Sequence, residues 1–259
     1  MTPDFEHVYG NLRTAMRFFG EATEHGDVRQ LEHGVAISAG LEYGVFNICM
    51  LNPSTSEPIQ GLQEFARYFK PRARRWSMWI CEDALPTPEK VELRKALAKH
   101  GLREITVAPG MMTAALGPVR HELPAIECVP VTSQALRESF GGLAAVCFDV
   151  PFGVAREIYY PERAWKGSYR GYVGFVGDRP IGIAALVATG ETLGVYSLAV
   201  QPESRRLGYG EALLRAAIAQ ASVNRSFERI VLQSSESGQS LYRRLGFRDV
   251  THFSVFLTK

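Results

Sequence analysis

Val195–Leu214, read as V-Y-S-L-A-V-Q-P-E-S-R-R-L-G-Y-G-E-A-L-L, is the stretch on which the fold turns. It opens as an apolar strand, Val195 to Val200, and breaks at Gln201-Pro202. From Glu211 onward, apolar residues recur at Leu214, Ile218 and Ala221, the spacing of one helix face. A strand, a glycine-containing loop and a helix start together make an anion site. The first N–H groups of a helix lack partners, and the dipole is positive there. Gly208 and Gly210 let a phosphate approach the main chain, and Arg205 and Arg206 add charge. A Walker A loop is excluded, because Glu211 and Ala212 follow Gly210 where Lys and Ser/Thr are needed. A dinucleotide fingerprint is excluded too, because Leu213 stands at its third glycine.

A second motif follows: Ser235-Glu-Ser-Gly-Gln-Ser-Leu-Tyr242-Arg-Arg-Leu-Gly246-Phe247. It reads as a helix stopped by Gly246, with Phe247 starting a strand. The loop R-x-x-G-x-G after a strand resembles the pyrophosphate loop of the GNAT N-acetyltransferase superfamily. The run L-Y-x-x-L-G-F resembles that superfamily's last helix, whose tyrosine lies beside the coenzyme A sulfur. The family often has Asn and Ala seven and four residues before that tyrosine; here Ser235 and Gly238 stand there.

Composition sets the outer bounds. The chain has 259 residues, room for one large domain or two ordinary ones. Hydrophobic content of 46% and charged content of 22% indicate a packed globular protein. The net charge of +2 gives no electrostatic footprint for nucleic acid or a membrane surface. The densest basic run, Arg72-Ala73-Arg74-Arg75, reads as a solvated strand end. Val45–Leu51 is far too short to span a bilayer, and the first residues do not resemble a secretory signal, so a cytoplasmic protein is expected. Cys49, Cys81, Cys128 and Cys147 form no C-x-x-C pair and read as reduced, buried thiols. The six histidines show no metal-ligand spacing, so no metal is expected.

Taken in order, 5–22 reads as a helix, and 35–37 and 44–50 as strands. Asn52-Pro53-Ser54 breaks the chain before a helix bearing Ile59, Leu62, Ala66 and Phe69. A strand at 76–81 and a helix opened by Thr87-Pro88 follow, then two short strands at 105–107 and 111–116. Gly117-Pro118 to Leu123-Pro124 reads as a linker. Beyond it come a strand at 126–131, a helix capped by Thr132 or Ser133, and a short helix near 154–158. A hairpin at 169–176 and 181–188, the central strand 193–200, and a strand, helix and strand to 257 complete the chain. The halves look like repeats: Leu97–Glu104 matches Tyr242–Asp249 as helix, glycine stop, large apolar residue and charged pair. Leu97 stands where the second copy has Tyr242, and the helix entry near Gly61 has one glycine and no arginine.

The resemblance implies an α/β (mixed α+β) fold of two tandem GNAT-like units. Each is a mixed, mostly antiparallel sheet flanked by helices: residues 1–121 degenerate, without a coenzyme site, and residues 122–259 the N-acetyltransferase domain. It implies acetyl-coenzyme A as cosubstrate, lying where the fourth and fifth strands of the unit split. Binding falls to Leu198, Ala199, Val200, Arg205, Arg206, Leu207, Gly208, Tyr209, Gly210, Glu211 and Ser235, and catalysis to Tyr242. A backbone N–H near Leu198 would face the thioester oxygen and favour its charged form. Tyr242, a phenol of pKa ~10, would protonate the departing thiolate. Glu157, Asp149 and Tyr196 are candidates for the acceptor side, with a water chain as an alternative base. Phe152, Tyr159, Tyr160 and Trp165 either line an apolar acceptor site or belong to the core. The acceptor is a primary amine of a small molecule or peptide, and the chain a monomer or homodimer. The competing reading is a non-catalytic acyl-coenzyme A-binding module.

Overall fold

The computed structural model describes residues 3–53, 55–72 and 74–259. Ser54, in the expected chain break, and Ala73, in the basic run, lie outside the described residues. The helices are α1 (Pro3–Ala22), α2 (Pro58–Phe69), α3 (Thr87–Lys99), α4 (Gln134–Phe148), α5 (Phe152–Tyr159), α6 (Tyr209–Ala221) and α7 (Gln239–Arg244). The strands are β1 (Asp27–Gln30), β2 (Gly34–Ser38), β3 (Ile48–Leu51), β4 (Ser77–Cys81), β5 (Leu102–Thr113) and β6 (Glu127–Pro130), then β7 (Tyr169–Val176), β8 (Arg179–Thr189), β9 (Thr192–Val200), β10 (Arg229–Gln233) and β11 (Arg248–Thr258). They form one 11-stranded sheet in the order β1-β2-β3-β4-β11-β5-β10-β9-β8-β7-β6.

That order contains a reciprocal exchange. β5, the last strand of the first half, lies between β10 and β11 of the second. β11, the last strand of the second half, lies between β4 and β5 of the first. Each half also has one parallel pair bridged by a helix: β3 with β4 through α2, and β9 with β10 through α6. The two helix stops correspond as well, with φ of +76° at Gly101 and +93° at Gly246, the left-handed conformation that glycine adopts without strain. The whole is a mixed α/β sheet flanked by helices.

Neighbouring residues on a strand point to opposite faces. Ile230 and Leu232 pack with Leu213, Leu214, Tyr242 and Leu245, so α6 and α7 cover one face of the second half. Val231 packs with Val8, Leu12, Met112 and Phe253, so α1 covers the other. On that face α1 also meets α4 and α5: Phe18 stacks on Tyr169 with centroids 4.1 Å apart, beside Phe140, Tyr159 and Trp165. α1 approaches β9 so closely that a Cβ at Gly194 would lie 1.8 Å from Asn11 Oδ1. A first-half helix is thus built into the second-half core.

Several local expectations are corrected. The strand expected at 44–50 is a 3-10 turn at 44–46 followed by β3. Asn47 makes the break: buried, it donates to the Leu41 and Arg75 carbonyls and accepts from Ala39 N–H. The strands expected at 105–107 and 111–116 are one strand, β5. Ser133, of the two proposed caps, begins α4, its Oγ accepting from Leu136 N–H at 3.3 Å. Cys49 and Cys81 are buried, whereas Cys128 and Cys147 are only half-buried. The 117–124 segment is pinned rather than free. Gly117 N–H donates to Leu245 O at 2.9 Å, and Arg215 Nη2 donates to Gly117 O at 2.7 Å.

Candidate active site

β9 and β10 run in register from Arg229↔Thr192 to Leu232↔Val195, and there pairing stops. β10 ends one residue later, while β9 continues to Val200. β9 residues Tyr196 to Ala199 are partly exposed where Leu193 to Val195 are buried, which marks the opening between the strands. The β8–β9 register also slips here, between Ile183↔Ala199 and Ala185↔Tyr196, and Ser197 takes φ +47°. Such a bulge re-aims the main chain. Tyr169 and Ser197 hold it through a 2.7 Å hydroxyl contact. Leu198, Ala199 and Val200 thus lie on the stretch of β9 beyond the last β10 pair.

After β9 the chain makes a 3-10 turn over Pro202–Ser204 and enters α6 at Gly208. Gly208 has φ +88°, and a Cβ there would sit 2.9 Å from Pro124 Cδ. A Cβ at Gly210 would meet nothing nearer than Val200 Cγ2 at 3.9 Å and Leu241 Cδ2 at 4.0 Å, so the space in front of it is open. Arg205 folds back, its Nε donating to Val200 O at 3.0 Å. Arg205, Arg206 and Leu207 are exposed, and Tyr209 is half-buried. Glu211 behaves differently from its neighbours. It is 6% exposed, and its Oε1 accepts from Arg215 Nε at 2.9 Å. That carboxylate faces Arg215 and the pinned segment, where His121 Nε2 lies 4.0 Å from Oε2. The exposed positive helix start, the left-handed glycine and the open face of Gly210 suit a pyrophosphate.

Tyr242 on α7 is 8% exposed, and its ring meets Phe247 edge-on at 5.6 Å. Among the described residues its hydroxyl has no hydrogen-bond partner. Burial raises its pKa well above the ordinary phenol value, so it stays protonated at neutral pH. A side chain at Gly238 would crowd the Tyr242 ring, with Cε2 at 3.1 Å, so alanine fits tightly there. Ser235 is exposed, its Oγ 3.2 Å from Ser237 Oγ.

The acceptor-side candidates separate. Tyr196 is half-buried, its hydroxyl donating to Asn11 Oδ1 at 2.7 Å. Glu157 on α5 is exposed, as is Asp149, which ends α4 in a left-handed conformation. Tyr159 and Trp165 are core residues, joined by Trp165 Nε1 donating to Tyr159 O at 2.8 Å, whereas Phe152 is 58% exposed. Asn11 is a residue the sequence did not single out. It is 1% exposed, and its Nδ2 also donates to Val187 O and Thr189 Oγ1. No local pattern marks a helix asparagine that meets strands more than a hundred positions away. A cavity of about 310 Å³ lined by Leu116, Leu193, Arg215, Ile218 and Phe227 lies at the other end of α6, away from the split. Among the described residues there is no cluster of three or more metal-ligating side chains, and no helix is long and apolar enough to cross a membrane.

Burial sets an alkaline limit on stability. It raises the pKa values of Tyr9, Tyr159, Tyr169, Tyr196 and Tyr242. Unfolded phenols ionise near pH ~10, while these remain protonated in the folded chain. Their contribution is therefore full below pH ~10 and is lost between that pH and their raised folded values. Each removes about 1.4 kcal/mol per pH unit in that window. Circular dichroism at stepped pH is expected to show cooperative unfolding above pH ~10. A thermal midpoint unchanged through that window would contradict this packing.

Comparison with known proteins agrees with the architecture. Residues 167–249 match the family model described as an acetyltransferase (GNAT) domain. A GCN5-related N-acetyltransferase from Kribbella flavida superimposes with TM-score 0.70 at 18% identity, covering 100% of this chain and 96% of its own. One from Sphaerobacter thermophilus gives TM-score 0.58 at 13% identity, with 99% and 93% covered. A tandem GNAT protein from the clavulanic acid biosynthesis pathway gives TM-score 0.53 at 14% identity, with 99% and 95% covered. No curated protein matches in sequence. The sequence match to a GNAT acetyltransferase domain thus falls within the second half of the chain. The whole chain has the fold of GCN5-related and tandem GNAT proteins, and acetyl transfer is the activity that this domain supports.

Proposed function

We propose that the chain transfers an acetyl group from acetyl-coenzyme A to a primary amine of a small molecule or peptide, at a site in residues 122–259. The supporting observation is the coincidence of three features at one end of β9: the split from β10, the bare start of α6, and the partnerless Tyr242 hydroxyl. Bound acetyl-coenzyme A supplies the activated thioester. The N–H groups at Gly208–Glu211 and the exposed Arg206 hold its pyrophosphate, and main-chain groups of Leu198–Val200 align its pantetheine arm. Leu198 N–H stabilises charge developing on the thioester oxygen. The amine nitrogen bonds to the acetyl carbon, the carbon–sulfur bond breaks, Tyr242 protonates the leaving sulfur, and the amine releases one proton through water. That outflow re-protonates the phenolate. Residues 1–121 carry no coenzyme site and act as scaffold and acceptor wall. Tyr242 favours an enzyme over a binding module, which has no need of a proton donor.

The test is thiol release from acetyl-coenzyme A with a panel of primary amines. Gly210→Trp should abolish coenzyme binding by calorimetry, a loss of about 10²-fold or more, because the indole takes the phosphate space. The open space at Gly210 means the fold itself should survive. Undiminished binding would remove the loop from the site.

A further inference from the structure

Among the described residues, side-chain polar atoms closed off from solvent and without partners occur on Arg74, Glu89 and Gln233, and of these Gln233 stands at the split. It is the last residue of β10, one step past the final β9 pair, Leu232↔Val195. Strand alternation turns it away from Leu232 and toward the face of Val231, which α1 covers. Tyr196, the β9 residue after Val195, faces the same way, toward Asn11 of α1. Gln233 and Tyr196 therefore flank the mouth of the split on the face opposite Tyr242.

The polar groups of β9 beside the split, of α1 and of the residue after Gln233 are accounted for. Tyr196 donates to Asn11, Asn11 donates to Val187 O and Thr189 Oγ1, Tyr169 meets Ser197, and Ser234 Oγ donates to Ser235 O. Both Gln233 atoms, Nε2 and Oε1, have neither a partner nor contact with solvent, although the residue as a whole is only partly buried. A dry, unpaired amide is unfavourable, and a leucine at this end of β10 would carry no such penalty. Such a group at a cleft edge calls for a ligand that completes it.

We infer that Gln233 orients the acceptor: its Oε1 accepts one N–H of the incoming amine, and its Nε2 donates to an oxygen carried on the carbon next to that amine. This rests on the acetyltransferase reading above. An amide holds one N–H of a neutral amine and so fixes the direction of the nitrogen lone pair. Its second atom selects among amines. Amino alcohols and amino-acid amides satisfy both atoms, whereas a plain alkylamine leaves Nε2 unpaired.

The experiment compares the full-length wild type with Gln233→Leu and Gln233→Met. Thiol release from acetyl-coenzyme A is followed with ethanolamine and glycinamide, and with ethylamine and propylamine as their oxygen-free counterparts. Thermal midpoints and calorimetric coenzyme affinities are measured alongside. The expected result is a midpoint equal to or above wild type and unchanged coenzyme affinity. kcat/KM should fall for every amine, through the lost Oε1 contact, and by about tenfold or more beyond that for the oxygen-bearing amines, which also lose Nε2. Unchanged kcat/KM for every amine overturns the role of Gln233. So does a lowered midpoint in both variants with equal loss across all amines, which marks a structural residue. A wild type that prefers the alkylamines overturns the substrate class. A wild type that binds acetyl-coenzyme A and releases no thiol with any amine overturns the transferase reading itself, and this inference with it.

Discussion

Residues 124–259 expressed alone are expected to give no monomeric, active protein. The fragment keeps the glycine loop and Tyr242 but loses β5, which fills the space between β10 and β11. β11 then has neither of its neighbours, since β4 and β5 both belong to the first half. Phe253 and Val255, buried in the full chain, would face solvent, and Phe18 would be missing from the aromatic cluster of Phe140, Tyr159 and Trp165. An unpaired apolar edge of this kind associates with other chains. Light scattering should show aggregates or exchanged dimers, and thiol release should be absent. Co-expression of residues 1–121 should restore a one-to-one complex. A soluble monomeric fragment as active as the full chain would show that the exchanged strand and α1 are dispensable.

Tyr242→Phe is expected to lower turnover by about 10²-fold, a usual size for losing a general acid. The substitution is otherwise mild. The hydroxyl has no partner among the described residues, so its removal orphans no buried group, and the ring keeps its contact with Phe247. Coenzyme affinity and the thermal midpoint should barely move, and the loss should appear in kcat rather than KM. The raised pKa also means that, up to pH ~10, no alkaline fall in rate should arise from ionisation of Tyr242. Equal turnover by the two proteins with every amine would leave Tyr242 a packing residue.

Local features were legible in the sequence. β9, the glycine loop and α6 are consecutive, so their order alone defines a helix start facing the end of a strand. The helix stops at Gly101 and Gly246 were legible for the same reason. Pairing between distant segments was not. β5 read as two strands because Ala108-Pro109-Gly110 interrupts its apolar pattern. The structure absorbs the proline because Pro109 turns its carbonyl toward Ser234 N–H, just past the end of β10 at Gln233↔Gly110, where no ladder bond to its missing N–H is needed. β1 was invisible because D-V-R-Q, on a half-exposed edge, has no alternation to detect. Gln233 gave no signal either. One glutamine at a strand end is ordinary until the neighbouring strand is seen to diverge beside it.

The exchange of β5 and β11 also constrains the order in which the protein can be made. β5 leaves the ribosome early, yet both of its neighbours, β10 and β11, are near the end of the chain. Until they emerge, Met111 and Met112, and Ile105 and Val107, which stay half-exposed even in the finished sheet, have no lasting cover. The first half therefore cannot complete its sheet during synthesis, as an ordinary N-terminal domain does. Pairs as remote as Leu102 with Thr258 give the central sheet a high contact order and slow closure. The nascent chain stays exposed to aggregation until the 11 residues of β11 are released.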